Sequence, residues 1–163
     1  MSVNPVPAPC KNVRFDSLEQ EVFLNLWRTY DRLRMLEDEL FAQFDLTPQQ
    51  YNVLRLLRAE HPQALPTLTL ANRLVSRAPD ITRILDKLEL RGLIGRDRLP
   101  ENRRVVLVRL TESGIELLDH LIAPLKDCHL RQLGHLSPEQ LVQLRDLLRQ
   151  ARCPLEDDAG HWK

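Results

Sequence analysis

The sequence predicts a mainly α-helical chain interrupted by one small β-hairpin. Three observations carry this. Apolar residues recur every three or four positions over most of residues 17–151. Helix-start signatures, a Ser or Thr followed three residues later by Gln, stand at Ser17, Thr47 and Ser137. Only one stretch, residues 105–110, is rich in β-branched and apolar residues without helical spacing.

The elements follow in order. Residues 1–15 hold Pro5, Pro7 and Pro9 with little apolar content and are expected to form a flexible arm. Ser17-Leu18-Glu19-Gln20 is a capping box that opens a first helix of some 25 residues. Its apolar stripe runs through Leu18, Val22, Leu26, Tyr30, Leu33, Leu40 and Phe44, and is widened by Phe23, Trp27 and Phe41. A stripe this broad requires more than one packing partner. Thr47-Pro48-Gln49-Gln50 starts a second helix, with Pro at the first helical position, carrying Tyr51, Val53, Leu54, Leu56 and Leu57 and stopping before Pro62. Thr67 is expected to cap a short helix running through Val75. Another begins near Ala78-Pro79, carries Ile81, Ile84, Leu85 and Leu88, and ends at Arg91-Gly92, where glycine suits a left-handed closing residue.

Residues 93–99 are expected to pair with 105–110 across the turn residues Pro100-Glu101-Asn102. A long helix over 111–134 follows, with Leu117, Leu118, Leu121, Leu125 and Leu133 along it and an internal Pro124 expected to kink it. Ser137-Pro138-Glu139-Gln140 repeats the capping device ahead of Leu141, Leu144, Leu147 and Leu148.

The formal charge sums to zero, but it is segregated. Residues 1–69 and 116–163 each carry −2, whereas 70–115 carry +4. The excess is densest in "RDRLPENRRVVLVRLT", with Arg96, Arg98, Arg103, Arg104 and Arg109 around the hairpin turn. A basic segment set between acidic ones points to a polyanionic partner.

Other function classes lack support in the residues. With five glycines there is no phosphate-cradling loop, and no carboxylate pair or Ser/His/Asp set falls into one recognisable cleft, so no enzymatic activity is expected. Cys10, Cys128 and Cys153 have neither metal nor disulfide spacing. Glu116 and His120, or Cys128 and His129, lack a third ligand, so no metal or other cofactor is expected. No apolar run is long enough to span a membrane, and the N-terminus does not read as a secretory signal. A reduced, cytoplasmic protein is the simplest expectation.

Two short helices followed by a hairpin make a winged helix-turn-helix pattern. A recognition helix must be held by its apolar face while the other face offers polar and cationic groups to the major groove. With Ile81, Ile84, Leu85 and Leu88 inward, Asp80, Thr82, Arg83, Asp86 and Lys87 remain outward. Arg83 suits bidentate pairing with guanine, and Thr82 a base edge, a thymine methyl or a phosphate. Asp80 complements the helix dipole and either accepts from a cytosine amine or positions Arg83. Asp86 and Glu89 are expected in ion pairs with Arg83, Lys87 or Arg91. At the hairpin, Arg103 and Arg104 are slim enough to enter a minor groove, with Arg96 and Arg98 meeting phosphates.

At "TRILDKLELRGLI", "PENRRVVLVRLTESG" and the downstream "LSPEQL" the sequence resembles the MarR family of bacterial transcriptional regulators, and the resemblance extends in helix order over roughly residues 17–151. It implies a homodimer built from the first and last helices (about 17–44 and 111–151), with a DNA-binding lobe at about 47–111 in each copy, and a tail over 152–163. Recognition helix 78–91 would enter the major groove of a pseudo-palindromic operator and wing 93–110 the minor groove. DNA contacts are then expected from Arg77, Pro79, Asp80, Thr82, Arg83, Lys87, Arg96, Arg98, Asn102, Arg103 and Arg104. The family's wing usually reads Asp-x-Arg, whereas this chain has Asn102-Arg103-Arg104. The resemblance also implies a small aromatic or phenolic effector between the dimer helices and the lobe, for which Trp27, Tyr30, Tyr51, Arg58 and His61 are candidates. The same residues fit a plain structural role, with Trp27 and Tyr51 in the core and Arg58 and His61 at the surface. The alternative function is a winged helix that meets an acidic protein rather than DNA.

Overall fold

The computed structural model describes residues 15–75, 80–98, 102 and 105–156. The chain divides into two compact units, residues 1–34 and 35–163. Six α-helices and three short strands are present among the described residues: α1 (Leu18–Ala42), α2 (Pro48–Glu60), β1 (Leu65–Pro66), α3 (Thr67–Arg73), α4 (Ile81–Leu90), β2 (Ile94–Arg98), β3 (Val106–Leu110), α5 (Glu112–Leu133) and α6 (Pro138–Arg152), followed by a 3₁₀ turn at Cys153–Leu155. The mainly α fold with a small sheet is as expected. The proposed arm, the 76–79 segment, most of the hairpin turn and the end of the tail lie outside the described residues.

Helix starts follow the capping chemistry closely. At Thr47 and Ser137 both arms of the box form: the hydroxyl accepts from the Gln50 or Gln140 N–H, and the glutamine side chain accepts from the cap N–H. At Ser17 only half of the box forms. Ser17 Oγ accepts from the Gln20 N–H at 3.1 Å, while Gln20 Oε1 accepts from the Asp16 N–H at 2.7 Å.

Two local expectations are corrected. Helix α3 is capped by Pro66, without a side-chain bond, and ends at Arg73. Thr67 instead donates its hydroxyl to the Val106 carbonyl at 3.2 Å, tying α3 to the sheet. The sheet also has a third strand. Leu65 and Pro66 pair antiparallel with Val108 and Leu107, giving the order β1-β3-β2. Two residues, one a proline, carry no alternation for a sequence pattern to detect.

In the second unit the core is built from Phe41, Val53, Leu54, Leu57, Leu70, Leu85, Leu88, Val108 and Leu121, all with side chains essentially removed from solvent. Buried leucines of this kind are each worth about 1.5–3 kcal/mol of transfer free energy. Helix α5 runs through Pro124 to Leu133, with Gly134 as its C-cap. Helix α6 buries none of its residues, and Leu141, Val142, Leu144 and Leu147 stand exposed. In the first unit Leu18, Val22, Phe23, Trp27 and Tyr30 are likewise exposed, with the Phe23 and Trp27 rings 6.1 Å apart.

Candidate nucleic-acid interface

Helix α4, the expected recognition helix, is fixed at both ends and along one face. Asp80 caps it, its Oδ1 accepting from the Arg83 N–H at 3.0 Å. That bond makes Asp80 the group that starts the helix. Leu85 and Leu88 are buried, and Ile81 and Ile84 pack against the core. At the far end, the Gly92 N–H donates to the Glu89 carbonyl at 2.8 Å and the Leu93 N–H to the Leu88 carbonyl at 3.0 Å. With Gly92 at φ +69°, this is a Schellman closure, and it delivers Leu93 into the core. Arg91 donates to the carbonyls of Asp45 and Phe44, the latter at 3.1 Å, so the helix end is fastened to the loop between α1 and α2.

The hairpin base is as tightly set. Thr111 caps α5 by accepting from the Gly114 N–H and donates its hydroxyl to the Gly92 carbonyl at 2.7 Å. A Cβ at position 114 would lie 2.3 Å from the Leu93 carbonyl oxygen, so only glycine lets α5 start this close to the end of α4. Strand β2 pairs with β3 in the register Ile94↔Leu110 through Arg98↔Val106. At the open end the Val105 N–H donates to the Asn102 carbonyl at 2.9 Å.

These constraints sort the expected contact residues. Thr82, Arg83 and Lys87 are exposed on α4, and neither cation has an ion-pair partner among the described residues. Arg98 is exposed on the hairpin, also without such a partner there. Arg96, expected at a phosphate, is instead engaged inside the protein. Its Nε donates to Glu89 Oε2 at 2.9 Å, and its Nη2 reaches both that oxygen and Asp86 Oδ1, the second at 2.7 Å. The hydrogen bond to Glu89 raises the guanidinium above its ordinary range against the opposing effect of burial, and the weaker effect of Asp86 adds to the rise. Asp86 and Glu89 therefore pair across the helix end with Arg96, not within the helix as expected. Arg109 is spent too, on Asp97 at 2.5 Å. Arg77, Pro79, Arg103 and Arg104 lie outside the described residues.

A cavity of about 690 Å³ opens between α2 and α5 and reaches the start of α6. Leu118, Ile122, Leu125, Leu130 and Leu133 form an apolar wall, and Tyr51, Arg55, Arg58, Lys126 and His129 a polar, cationic one. Arg58 is bonded to Asp119 at 2.6 Å, and His129 lies 3.9 Å from Glu37. Tyr51 stacks on Phe41 with centroids 4.7 Å apart, and burial pushes its phenol up. Of the expected effector residues, Tyr51 and Arg58 line this cavity, His61 is exposed and outside its lining, and Trp27 and Tyr30 are exposed in the first unit. The cavity also takes in Arg55, Lys126 and His129, which the sequence reading did not name as effector candidates. Arg55 and Arg58 share a helix face with Tyr51, and Lys126 shares one with His129, which is the signal that spacing offers. Among the described residues no three His, Cys, Asp or Glu side chains cluster as a metal site would require, and no helix is long and apolar enough to cross a membrane. Cys128 is buried on α5, which pushes its thiol up, and Cys153 is exposed.

Comparison with known proteins agrees with this geometry. The model of the MarR family matches residues 46–106, the span from the α2 cap to the hairpin. The crystal structure of a MarR transcription factor from Planctomyces limnophilus is 55% identical, covering 84% of this chain and 99% of that one with a TM-score of 0.67. The HTH-type transcriptional repressor NicR of Pseudomonas putida is 32% identical over 145 residues, 89% of this chain and 90% of the relative. A S. aureus MepR–DNA complex is 25% identical, covering 81% of this chain and 97% of that one with a TM-score of 0.72. With its capped and clamped recognition helix, its three-stranded wing and relatives matched over nearly their whole length, this chain belongs to the MarR family of transcriptional regulators.

Proposed function

We propose that this regulator is a cytoplasmic, homodimeric, sequence-specific repressor that occludes a promoter by binding a pseudo-palindromic operator. The observation that carries the reading is the outward face of α4, where Thr82, Arg83 and Lys87 are exposed while the inward face is locked into the core. Arg83 reads a base edge, Thr82 and Lys87 meet bases or phosphate, and Asp80 holds the helix start from which Arg77 and Pro79 approach the backbone. On the wing, Arg98 meets phosphate, while Asn102, Arg103 and Arg104 serve the minor-groove contact. The exposed apolar residues of α6 and of residues 18–30 form the contact between two copies. Two recognition helices then sit in successive major grooves about one helical turn apart. The MepR–DNA complex supports nucleic acid as the partner, and the NicR name supports repression.

The cavity between α2 and α5 suits a small aromatic or phenolic acid. Its leucine wall takes the ring, and Arg55, Arg58, Lys126 and His129 take the anionic group. Occupancy favours a lobe arrangement that no longer spans both half-sites.

The test is binding of the full chain to a duplex selected from a random library and to a scrambled duplex of the same composition. Arg83→Ala is expected to lose about 1–3 kcal/mol on the selected duplex only, and Arg104→Ala to weaken both. Log affinity is expected to fall with log salt by about 0.9 for each phosphate neutralised. Salt-insensitive association with no preference between duplexes would reject the reading in favour of a protein partner.

A further inference from the structure

The recognition helix carries no surplus of positive charge. On α4 and its two caps, Asp80, Asp86 and Glu89 balance Arg83, Lys87 and Arg91, and Arg91 is turned onto the carbonyls of Asp45 and Phe44. The carboxylates oppose binding to a polyanion unless they are masked. Asp86 and Glu89 lie one turn apart on the same helix face, a spacing that one planar guanidinium can bridge. Arg96 does so from β2, with Nε on Glu89 at 2.9 Å and Nη2 on Asp86 at 2.7 Å. Its side chain is 24% exposed against 55% for Asp86. In the sheet it pairs with buried Val108 and follows buried Ile94 by two residues, so it projects from the strand face that packs on the core.

We propose that Arg96 is a positioning residue for DNA recognition: its fork onto Asp86 and Glu89 fixes the wing against the recognition helix and masks the acidic edge of that helix, and it makes no phosphate contact. The inference rests on the DNA-binding reading above. Arg96 sets the angle between the major-groove and minor-groove elements, so its loss lowers discrimination rather than the number of phosphates neutralised. Losing it also bares two carboxylates toward the duplex.

The test uses the full chain, a duplex selected by the wild type from a random library, and a scrambled duplex of equal composition, each titrated over a range of salt. Arg96→Met and Glu89→Gln are each expected to lower the ratio of selected to scrambled affinity by about tenfold, in keeping with a charge-assisted bond. The salt slope of Arg96→Met stays at the wild-type value, and the double variant is no worse than Arg96→Met alone. Arg96→Lys restores part of the ratio, because an ammonium does not fork to both carboxylates. Asp86→Asn, which leaves the Glu89 bond in place, is the mild variant and lowers the ratio less than Glu89→Gln. A slope reduced by about 0.9 in Arg96→Met, with Glu89→Gln binding both duplexes more tightly, identifies a phosphate contact and overturns the proposal. An unchanged ratio with only a smaller active fraction also overturns it, since that is loss of folded protein alone. If the wild type selects no duplex, the DNA reading itself fails, an outcome visible before any variant is made.

Discussion

Residues 46–110 and helix α6 use the same sequence devices to opposite ends. Both contain a helix opened by a complete Ser/Thr-Pro-x-Gln capping box. In α2 that box starts a helix whose Val53, Leu54 and Leu57 are fully buried. In α6 it starts a helix that buries nothing, with Leu147 at 62% exposure. Local chemistry thus specifies where a helix begins, whereas the surroundings decide what its apolar face is for. The lobe completes its own core within one chain. Helix α6 leaves its apolar side chains at the surface, which fits the proposed contact between two copies.

The contrast is broken most severely at Leu88, which is buried completely on the inner face of α4. Leu88→Ala is expected to cost about 2–5 kcal/mol, read as a lowered denaturation midpoint and loss of DNA binding together. Next comes Leu147→Asp in α6. It is expected to leave the secondary structure of the chain intact by circular dichroism while converting the proposed dimer to monomer by light scattering. A dimer that survives this change would show that α6 is not the contact surface. A sharper pair follows, because Thr47→Ala and Ser137→Ala remove the same cap in the two regions. Each removes about 1 kcal/mol of helix stability. The first is expected to appear in unfolding at any protein concentration, the second mainly as a dimer that dissociates more readily on dilution.

The smallest effect concerns thiols. Burial raises the Cys128 pKa, so the neutral form is favoured in the folded chain. Stability from this source is complete below the ordinary thiol range and is lost as pH rises through it toward the raised folded value. In a Cys10→Ser chain near neutral pH, an alkylating reagent is therefore expected to modify Cys153 at least ~10-fold faster than Cys128, as only the thiolate reacts. Equal rates would mean that α5 opens readily.

What the sequence made legible was periodic or contiguous. The stripe Ile81, Ile84, Leu85 and Leu88, the caps at Thr47 and Ser137, and the glycine closing α4 all depend on residues within about two turns of each other, and the structure has each in that role. What escaped depends on partners brought together by the fold. Strand β1 exists only because β3 lies beside it. Asp86 and Glu89 had cations close by in the helix, yet the Schellman turn folds Arg96 back over both of them. The cationic wall of the cavity joins α2 to α5, roughly seventy residues apart in the chain, so spacing named Tyr51 and Arg58 but not Lys126 or His129.

The junction where Gly92, Thr111 and Gly114 meet makes the wing a lever with a fixed fulcrum. Five residues of β2 extend from that point, an arm of about 17 Å at ~3.3 Å per residue. A turn of about 10° at the base displaces the end of the arm by about 3 Å, close to the ~3.4 Å rise between successive base pairs. On the proposed wing contact, rotations too slight to disturb the core are magnified into a shift of register on the duplex. A mutation at the fulcrum, far from any base, would then alter which nucleotide the tip meets.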